Sequence, residues 1–384
     1  MRILPIDAQL ARADLADRVV VPSFDALSPA ERQRVRDTEP VSFLHAMHAP
    51  GEGALARSLE GLHRLLDDGV FGEVLHDAVF GYRITAGGRS ETGLVCAIPA
   101  GSFAPGGEVL SHEDVRPEMV GHLTHYLREI RVASSPVKTA FPASDDVARL
   151  LAEVTSRPPD LDAGDGDAPH GVRQEVWAVT DPDRVAAFVE AFAGVDRAYI
   201  TDGHHRSAAA LALGPDTPVL TALFPDDVVH IVQFNRVVRP VADHAPVRRW
   251  LDETGAVELD GAPAAVSHGT VGVRCDGRWW LADLPAGDHL EPPDSLDPAV
   301  LQATVLGPLL GVSDPAGDPR LTFVPGSVPA DELAGWAGED GIAFALAPVA
   351  FEDVKAVADR GASMPPKSTY FEPKPRSGLL LLRL

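Results

Sequence analysis

The stretch YITDGHHRSAAALAL, Tyr199 to Leu213, constrains this chain more than any other. It opens apolar, closes on alanines and leucines, and has only Asp-Gly-His-His-Arg between. That pattern predicts a strand delivered into a helix through a turn that Gly203 permits. Just upstream, RQEVWAVT reads as a strand. DPDRVAAFVEAFAG reads as a helix with Asp181 as N-cap and Pro182 at the first helical position. Strand, helix, strand, helix over residues 173–213 predicts an α/β unit.

The flanking segments are mixed. Arg18–Val21 is a short β-branched run, and LSPAERQRVRD predicts a helix with a Ser28/Glu31 capping box. SFLHAM is a candidate strand. GALARSLEGLHRLLDDG has leucines at helical spacing and a Gly69 stop. AVFGYRITAGGRSETGLVCAIPA predicts a hairpin about Ala-Gly-Gly. A helix is expected to start near Arg116 or Pro117, SPVKTAF is another strand, and DDVARLLAEVTS another helix. RPPDLDAGDGDAPHG, rich in Pro, Gly and Asp, predicts a surface loop. Beyond VHIVQFNRVVRPV the character changes to a helix, a small hairpin, a helix at DPAVLQATVLGPLLG, and a strand and helix in GEDGIAFALAPVAFEDVKAVADRG. The tail is broken by prolines and ends in an apolar strand. The expected fold class is α+β (mixed α/β). The expected domains are residues 1–245 and a smaller α+β region, 246–384, whose tail could pack back onto the first.

With 384 residues and 45% hydrophobic side chains the chain can bury a large core. No apolar run approaches the roughly 20 residues that span a bilayer, and the first residues lack a signal-peptide core. A soluble cytoplasmic protein without a membrane partner is expected. Cys96 and Cys275 form no CxxC pair and read as ordinary half-buried thiols. A net charge of -23 repels phosphate backbones, so nucleic acid is not an expected partner. Any small anionic ligand then needs a local positive site.

The Asp202-Gly203-His204-His205-Arg206 turn can supply one. A helix N-terminus offers amide donors and a positive dipole end, and Arg206 adds a planar fork suited to phosphate or carboxylate. The bland alternative is a capped helix with surface histidines. The turn resembles the Gly-x-His-Arg turn of the ParB/sulfiredoxin superfamily. The whole chain resembles the family named domain of unknown function 1015. The resemblance is carried by PSFDALSPAERQ, SFLHAM, LSHEDV, YITDGHHRSAAA, FNRVV and MPPKSTYFEPKPRSGLL, in that order. It implies a ParB/sulfiredoxin-like core in which the turn holds nucleotide phosphates, as in CTP-binding partition proteins, ATP-using sulfiredoxins and free serine kinases. By that resemblance Gly203, His205 and Arg206 contact phosphates. Ser207 stands where other members have an aromatic.

Four further clusters carry chemistry. In Ser111-His112-Glu113 a carboxylate beside a histidine could act as general base or hold Mg²⁺, or could simply complement a helix start. Asp25 could be a second catalytic carboxylate or a turn cap. The chain has only four lysines, and Lys367-Ser368-Thr369 with Lys374 and Arg376 concentrates two of them. Lys367 and Ser368 could reach phosphates, or the segment could be a solvated tail. His122 and His125, with His112, His204 and His205, are a weaker metal candidate.

The expected function is a nucleotide-dependent kinase for a small hydroxylated metabolite, with free L-serine as the lead acceptor by superfamily analogy. ATP or ADP is the expected donor (CTP is a candidate), with Mg²⁺ at Glu113 or Asp202. Glu113 or Asp25 would take the hydroxyl proton and Lys367 or Arg206 would stabilise the transferred charge. The alternatives are a nucleotide-binding switch and a metal-dependent hydrolase. The oligomeric state is not legible.

Overall fold

A computed structural model describes residues 1–22, 27–47, 51–164, 171–285 and 290–384. The fold is mixed α+β, in two units: Met1–Val229 with Pro373–Leu384, and His230–Glu372.

Among the described residues the first unit holds ten strands before the tail: β1 (Ile6–Ala11), β2 (Phe71–Ala86), β3 (Arg89–Pro99), β4 (Val109–Leu110), β5 (Val132–Ala133), β6 (Val137–Phe141), β7 (Leu161–Ala163), β8 (Val172–Val179), β9 (Ala198–Asp202) and β10 (Pro218–Pro225). Its helices are α1 (Ala16–Val19), α2 (Pro29–Thr38), α3 (Ala54–Asp67), α4 (Pro117–Ile130), α5 (Asp145–Val154), α6 (Pro182–Ala193) and α7 (His204–Leu213). The sheet order is β4-β9-β6-β10-β3-β2-β1, then the C-terminal strand Leu380–Arg383, then β5; β8 and β7 branch from β2.

One long strand joins the two halves of this sheet. β2 pairs with β1 through Phe71 to Ala78 and with β8 from Val79 onward. At the changeover Asp77 sits at φ 49°, and its N–H donates to Asp7 Oδ1 at 3.0 Å. Strand alternation then divides the core. Phe80, Tyr82 and Ile84 join one cluster with Leu62 and Leu65 of α3. Val79 joins the other, with Val147, Leu150, Leu151 and Val154 of α5 and Phe188 and Phe192 of α6. Burying each such side chain contributes about 1.5–3 kcal/mol, so the apolar faces hold these helices more than propensity does.

The capping box of α2 forms as the spacing predicts, with Ser28 and Glu31 bonded reciprocally. The Asp181 cap of α6 forms too, accepting from Arg184 N. Three local expectations do not hold. Arg18–Val21 is not a strand: Ala16–Val19 is a helical turn, and Val21 makes one isolated bridge to Ser377. SFLHAM is a 3₁₀ turn over Phe43–His45, because Ser42 Oγ accepts from Leu44 N and starts a helical turn instead. The RPPDLDAGDGDAPHG loop contains β7, whose Leu161 and Ala163 are buried beside β8. Residues 165–170 of that segment lie outside the described residues. The α/β unit is also not a simple one: β8 and β9 are not neighbours, since β8 pairs with β2 and β7 while β9 pairs with β4 and β6.

The second unit contains β11 (His230–Val232), β12 (Phe234–Val238), β13 (Val257–Leu259), β14 (Thr270–Cys275), β15 (Arg278–Asp283), β16 (Leu321–Pro325), β17 (Ile342–Ala345) and β18 (Tyr370–Glu372). Six form the antiparallel sheet β13-β15-β14-β17-β12-β16, and β11 pairs with β18. Its helices are α8 (Ala245–Glu253), α9 (Asp297–Leu301), α10 (Gly307–Leu310), α11 (Leu333–Ala337) and α12 (Phe351–Asp359). The helix expected over DPAVLQATVLGPLLG forms, but as α9, a π stretch Gln302–Leu306 and α10. Pro308 cannot donate a ladder bond, which favours such a widened turn before it. Among the described residues no helix is long and apolar enough to cross a membrane.

Candidate functional site

Three strand ends of the first unit meet at the Asp202 turn. β4 runs parallel to β9, with Val109 and Leu110 beside Ala198 and Tyr199. Both strands therefore deliver their next residues to the same end: Ser111-His112-Glu113 from β4, and Asp202-Gly203-His204 from β9. β6 runs antiparallel to β9 and starts where β9 ends, so Lys138 registers with Asp202. The Pro373–Ser377 tail crosses this end as well. Ser377 bridges Val21, and Gly378 N donates to Ser134 Oγ at 2.8 Å.

Gly203 occupies the N-cap of α7 at φ 104°, with no side chain capping the helix. An alanine there would place its Cβ 2.9 to 3.0 Å from the Arg206 guanidinium. Glycine is thus required twice, for the left-handed backbone and for the guanidinium lying over it. Arg206 folds back to pair with Asp202 Oδ2 and donates to Pro136 O at 2.6 Å. Lys374 Nζ takes the other oxygen, Asp202 Oδ1, at 2.6 Å. Burial alone would raise the Asp202 pKa, but Lys374 and then Arg206 outweigh it and hold the carboxyl well below its usual range. One half-buried carboxylate thus carries two cations, and the local sum is positive.

Beneath this lies a second pair. Lys138 is fully buried on β6, 2.5 Å from Glu91 Oε2, and donates to Pro373 O at 2.9 Å. Burial pushes the Lys138 pKa down, and the Glu91 charge opposes that. Sequence reading passed over Lys138 and Glu91. The usable signal was a lysine, in a chain with only four, inside the otherwise apolar VKTAF strand.

The two histidines of the turn differ. His204 is 6% exposed and meets His112 edge-to-face, with ring centroids 4.7 Å apart. Its Nδ1 lies 3.6 Å from Glu113 Oε2, and among the described residues its buried Nε2 makes no hydrogen bond. Burial, and after it the neighbouring His112, push the His204 pKa well down; burial pushes His112 down to about 4. Both rings are therefore neutral near pH 7. His205 Nε2 accepts from Arg116 N at 3.0 Å, so that nitrogen is unprotonated. Thr124 of α4 fixes α7 from the side by donating to Ala209 O at 3.3 Å.

Asp25 lies outside the described residues. Lys367 and Ser368 belong to the second unit. There Lys367 Nζ sits 5.5 Å from the Phe234 ring centroid, and Ser368, 4% exposed, donates to Pro365 O at 2.7 Å. His122 and His125 are exposed while His112 and His204 are buried. Among the described residues these histidines do not converge as metal ligands; the group that does is His244, Cys275 and Asp276 of the second unit.

The family described as "Protein of unknown function (DUF1015)" matches residues 3–299, well over half of the chain. The chain belongs to this family. No curated protein matches it. Among solved structures it is similar to SbnI with a C-terminal truncation from Staphylococcus aureus, at 11% identity and TM-score 0.41, over 74% of this chain and 85% of that one. It is also similar to a free serine kinase in complex with AMP, at 12% identity and TM-score 0.37, over 74% of this chain and 91% of that one. A mutant of free serine kinase in complex with ADP gives 12% identity and TM-score 0.38, over 77% and 94%. Likenesses this distant assign no role to any residue of this DUF1015 chain.

Proposed function

We propose that the first unit of this DUF1015 protein is a nucleotide-dependent kinase site acting on a small hydroxylated metabolite, with free L-serine the lead acceptor. The observation that carries the reading is the α7 N-terminus, started by Gly203 without a side-chain cap and flanked by Arg206 and Lys374. A helix N-terminus whose first residue offers no capping side chain, its positive dipole end and two cations on one carboxylate make an anion cradle in a chain of net charge -23. The resemblance of the turn to the Gly-x-His-Arg turn of nucleotide-binding proteins supports phosphate as that anion.

In this reading the α7 amides, Arg206 and Lys374 hold the donor phosphates. Asp202 is a positioning residue that aims both cations; with both oxygens engaged, it does not fit magnesium or proton abstraction. Glu113, 39% exposed and beside His204, fits both. Glu113 would hold Mg²⁺, which would supply positive charge to offset the phosphates. The acceptor hydroxyl oxygen bonds to the terminal phosphorus, the bridging P–O bond breaks, and the hydroxyl proton passes to Glu113. Asp25 is the alternative base. Neutral His112 and His204 exclude water behind the turn and give Glu113 a polar neighbour.

The test is incubation of the purified protein with ATP, ADP or CTP and Mg²⁺, with and without L-serine, followed by mass spectrometry for phosphoserine. Serine-dependent nucleotide consumption, lost in Glu113→Gln, supports the kinase. Tight nucleotide binding without acceptor-dependent turnover would replace it with a nucleotide switch.

A further inference from the structure

The second unit gathers three metal-ligating side chains that the kinase reading does not use. β14 ends at Cys275 and turns back into β15 through Asp276 and Gly277, both at positive φ (51° and 78°). Such a two-residue Asp-Gly turn fixes Asp276 directly beside Cys275. His244 stands at the N-cap position of α8 without capping it; Asp243 Oδ1 accepts from Ala245 N at 2.9 Å instead. The His244 ring is turned to the hairpin, where its Nδ1 lies 2.6 Å from Asp276 Oδ1. Arg248, one turn along α8, donates to Asp276 Oδ2 at 2.9 Å. One donor atom from each of His244, Cys275 and Asp276 lies within 4.8 Å of the other two.

A sulfur, an imidazole nitrogen and a carboxylate oxygen are the donors that zinc takes. Bonds of about 2.0–2.3 Å put the donors of a tetrahedral zinc roughly 3–4 Å apart, so this group needs side-chain rotation and no rebuilt backbone. The Asp276 side chain is 39% exposed and that of His244 12%, which gives an ion a route in from solvent, while Cys275 closes the inner side at 1%. Arg248 engages Oδ2, leaves Oδ1 to the ion, and holds the carboxylate as outer partners do in metal sites. A thiolate and a carboxylate carry two negative charges, which match a divalent ion beside that guanidinium. Surface ion pairs alone would account for His244, Asp276 and Arg248; the thiol within ligand distance of both His244 and Asp276 is what points to zinc.

We propose that His244, Cys275 and Asp276 bind one zinc ion, with the fourth position left to water. The ion takes Cys275 as the thiolate, whose proton passes to solvent. It takes His244 as the neutral ring, through one nitrogen with the proton on the other, and Asp276 through Oδ1. It clasps the β14–β15 turn to the start of α8. The inference stands apart from the kinase reading, because it uses no residue of the first unit and no nucleotide.

The probe is Co²⁺, followed by Zn²⁺, titrated into the full-length protein after chelator treatment under reducing conditions. Cobalt should bind with a thiolate charge-transfer absorption and the intense visible bands of a four-coordinate ion, and zinc should displace it. Cys275→Ser should abolish the charge-transfer absorption. His244→Gln should weaken binding of both ions by more than the roughly tenfold that loss of an outer partner costs. His244 is half-buried, so this second variant keeps the test open should Cys275→Ser fail to fold. The proposal is overturned if wild type shows no thiolate–cobalt absorption, if folded Cys275→Ser keeps it, or if folded His244→Gln binds zinc as tightly as wild type does. An ion-pair set beside an ordinary core thiol would appear as the first of these outcomes, and zinc held only by histidines elsewhere as the last.

Discussion

Lys374 Nζ donates to Asp202 Oδ1 at 2.6 Å, although the two residues are 172 positions apart. The contact ties the tail to the α7 turn and holds the Asp202 carboxyl below its usual range, against the upward push of burial. Removing one partner of a buried ion pair typically costs about 3–5 kcal/mol. Arg206 remains on Asp202, so Lys374→Met should lose less than that, read as a lower urea midpoint. It should also raise the Asp202 pKa. In wild type this depressed carboxyl contributes stability above the ordinary aspartate range that is lost as pH falls through its folded value. The variant should therefore begin to lose stability at a higher pH. An acid-unfolding curve unchanged by the substitution would count against the pairing.

Gly203→Ala should be costly out of proportion to one methyl group. The left-handed backbone alone disfavours alanine by about 1–2 kcal/mol. The new Cβ also meets the Arg206 guanidinium, which has Asp202 and Pro136 as partners to keep. A fall in melting temperature together with weakened nucleotide binding is expected. Full binding with a lowered melting temperature would show that Arg206 placement is irrelevant to the ligand.

Lys138 and Glu91 form a pair sealed inside the first unit, 0% and 2% exposed. Either Lys138→Met or Glu91→Leu alone removes one partner of a buried ion pair and should destabilise by about 3–5 kcal/mol. The double variant Lys138→Met/Glu91→Leu should recover much of that loss, because an apolar replacement of both partners removes both desolvation costs. Chemical denaturation of the four proteins gives the coupling directly. Additive losses would mean that the two charges do not depend on each other.

His112 makes stability fall with acid in a defined window. Its folded pKa is pushed down to about 4, whereas an unfolded histidine titrates near 6.5. Between those values the unfolded chain takes up a proton that the folded chain resists. Stability should therefore drop as pH falls from the upper value to the lower, by about 3 kcal/mol for this one group. His204, depressed in the same direction, adds to the effect. His112→Phe should flatten the slope in that window, measured by urea denaturation at several pH values.

The parts of this chain that were legible are those with short-range causes. The Ser28/Glu31 box, the Asp181 cap and the Ala-Gly-Gly hairpin all rest on residues within a few positions of each other. The Asp202–Arg206 turn was visible for the same reason. Lys374 stood out only as a rare lysine, since nothing local says that a tail residue returns to β9. β7 was hidden because Leu161 and Ala163 become strand only by pairing with β8, against a Pro, Gly and Asp background. SFLHAM misled because β-compatible residues follow a serine that caps a helical turn. The Lys138–Glu91 pair was hidden most deeply: the two strands that carry them are joined only through the register of the sheet.

The most direct measurement is calorimetric titration of ATP, ADP and CTP, with Mg²⁺, into wild type and into Arg206→Gln, with both proteins shown to be folded by circular dichroism. The account predicts saturable binding of at least one nucleotide to wild type and a loss of about tenfold or more in Arg206→Gln, as expected when a charge-assisted phosphate contact is removed. Equal nucleotide affinity in the two proteins, or no nucleotide binding by wild type, would contradict it.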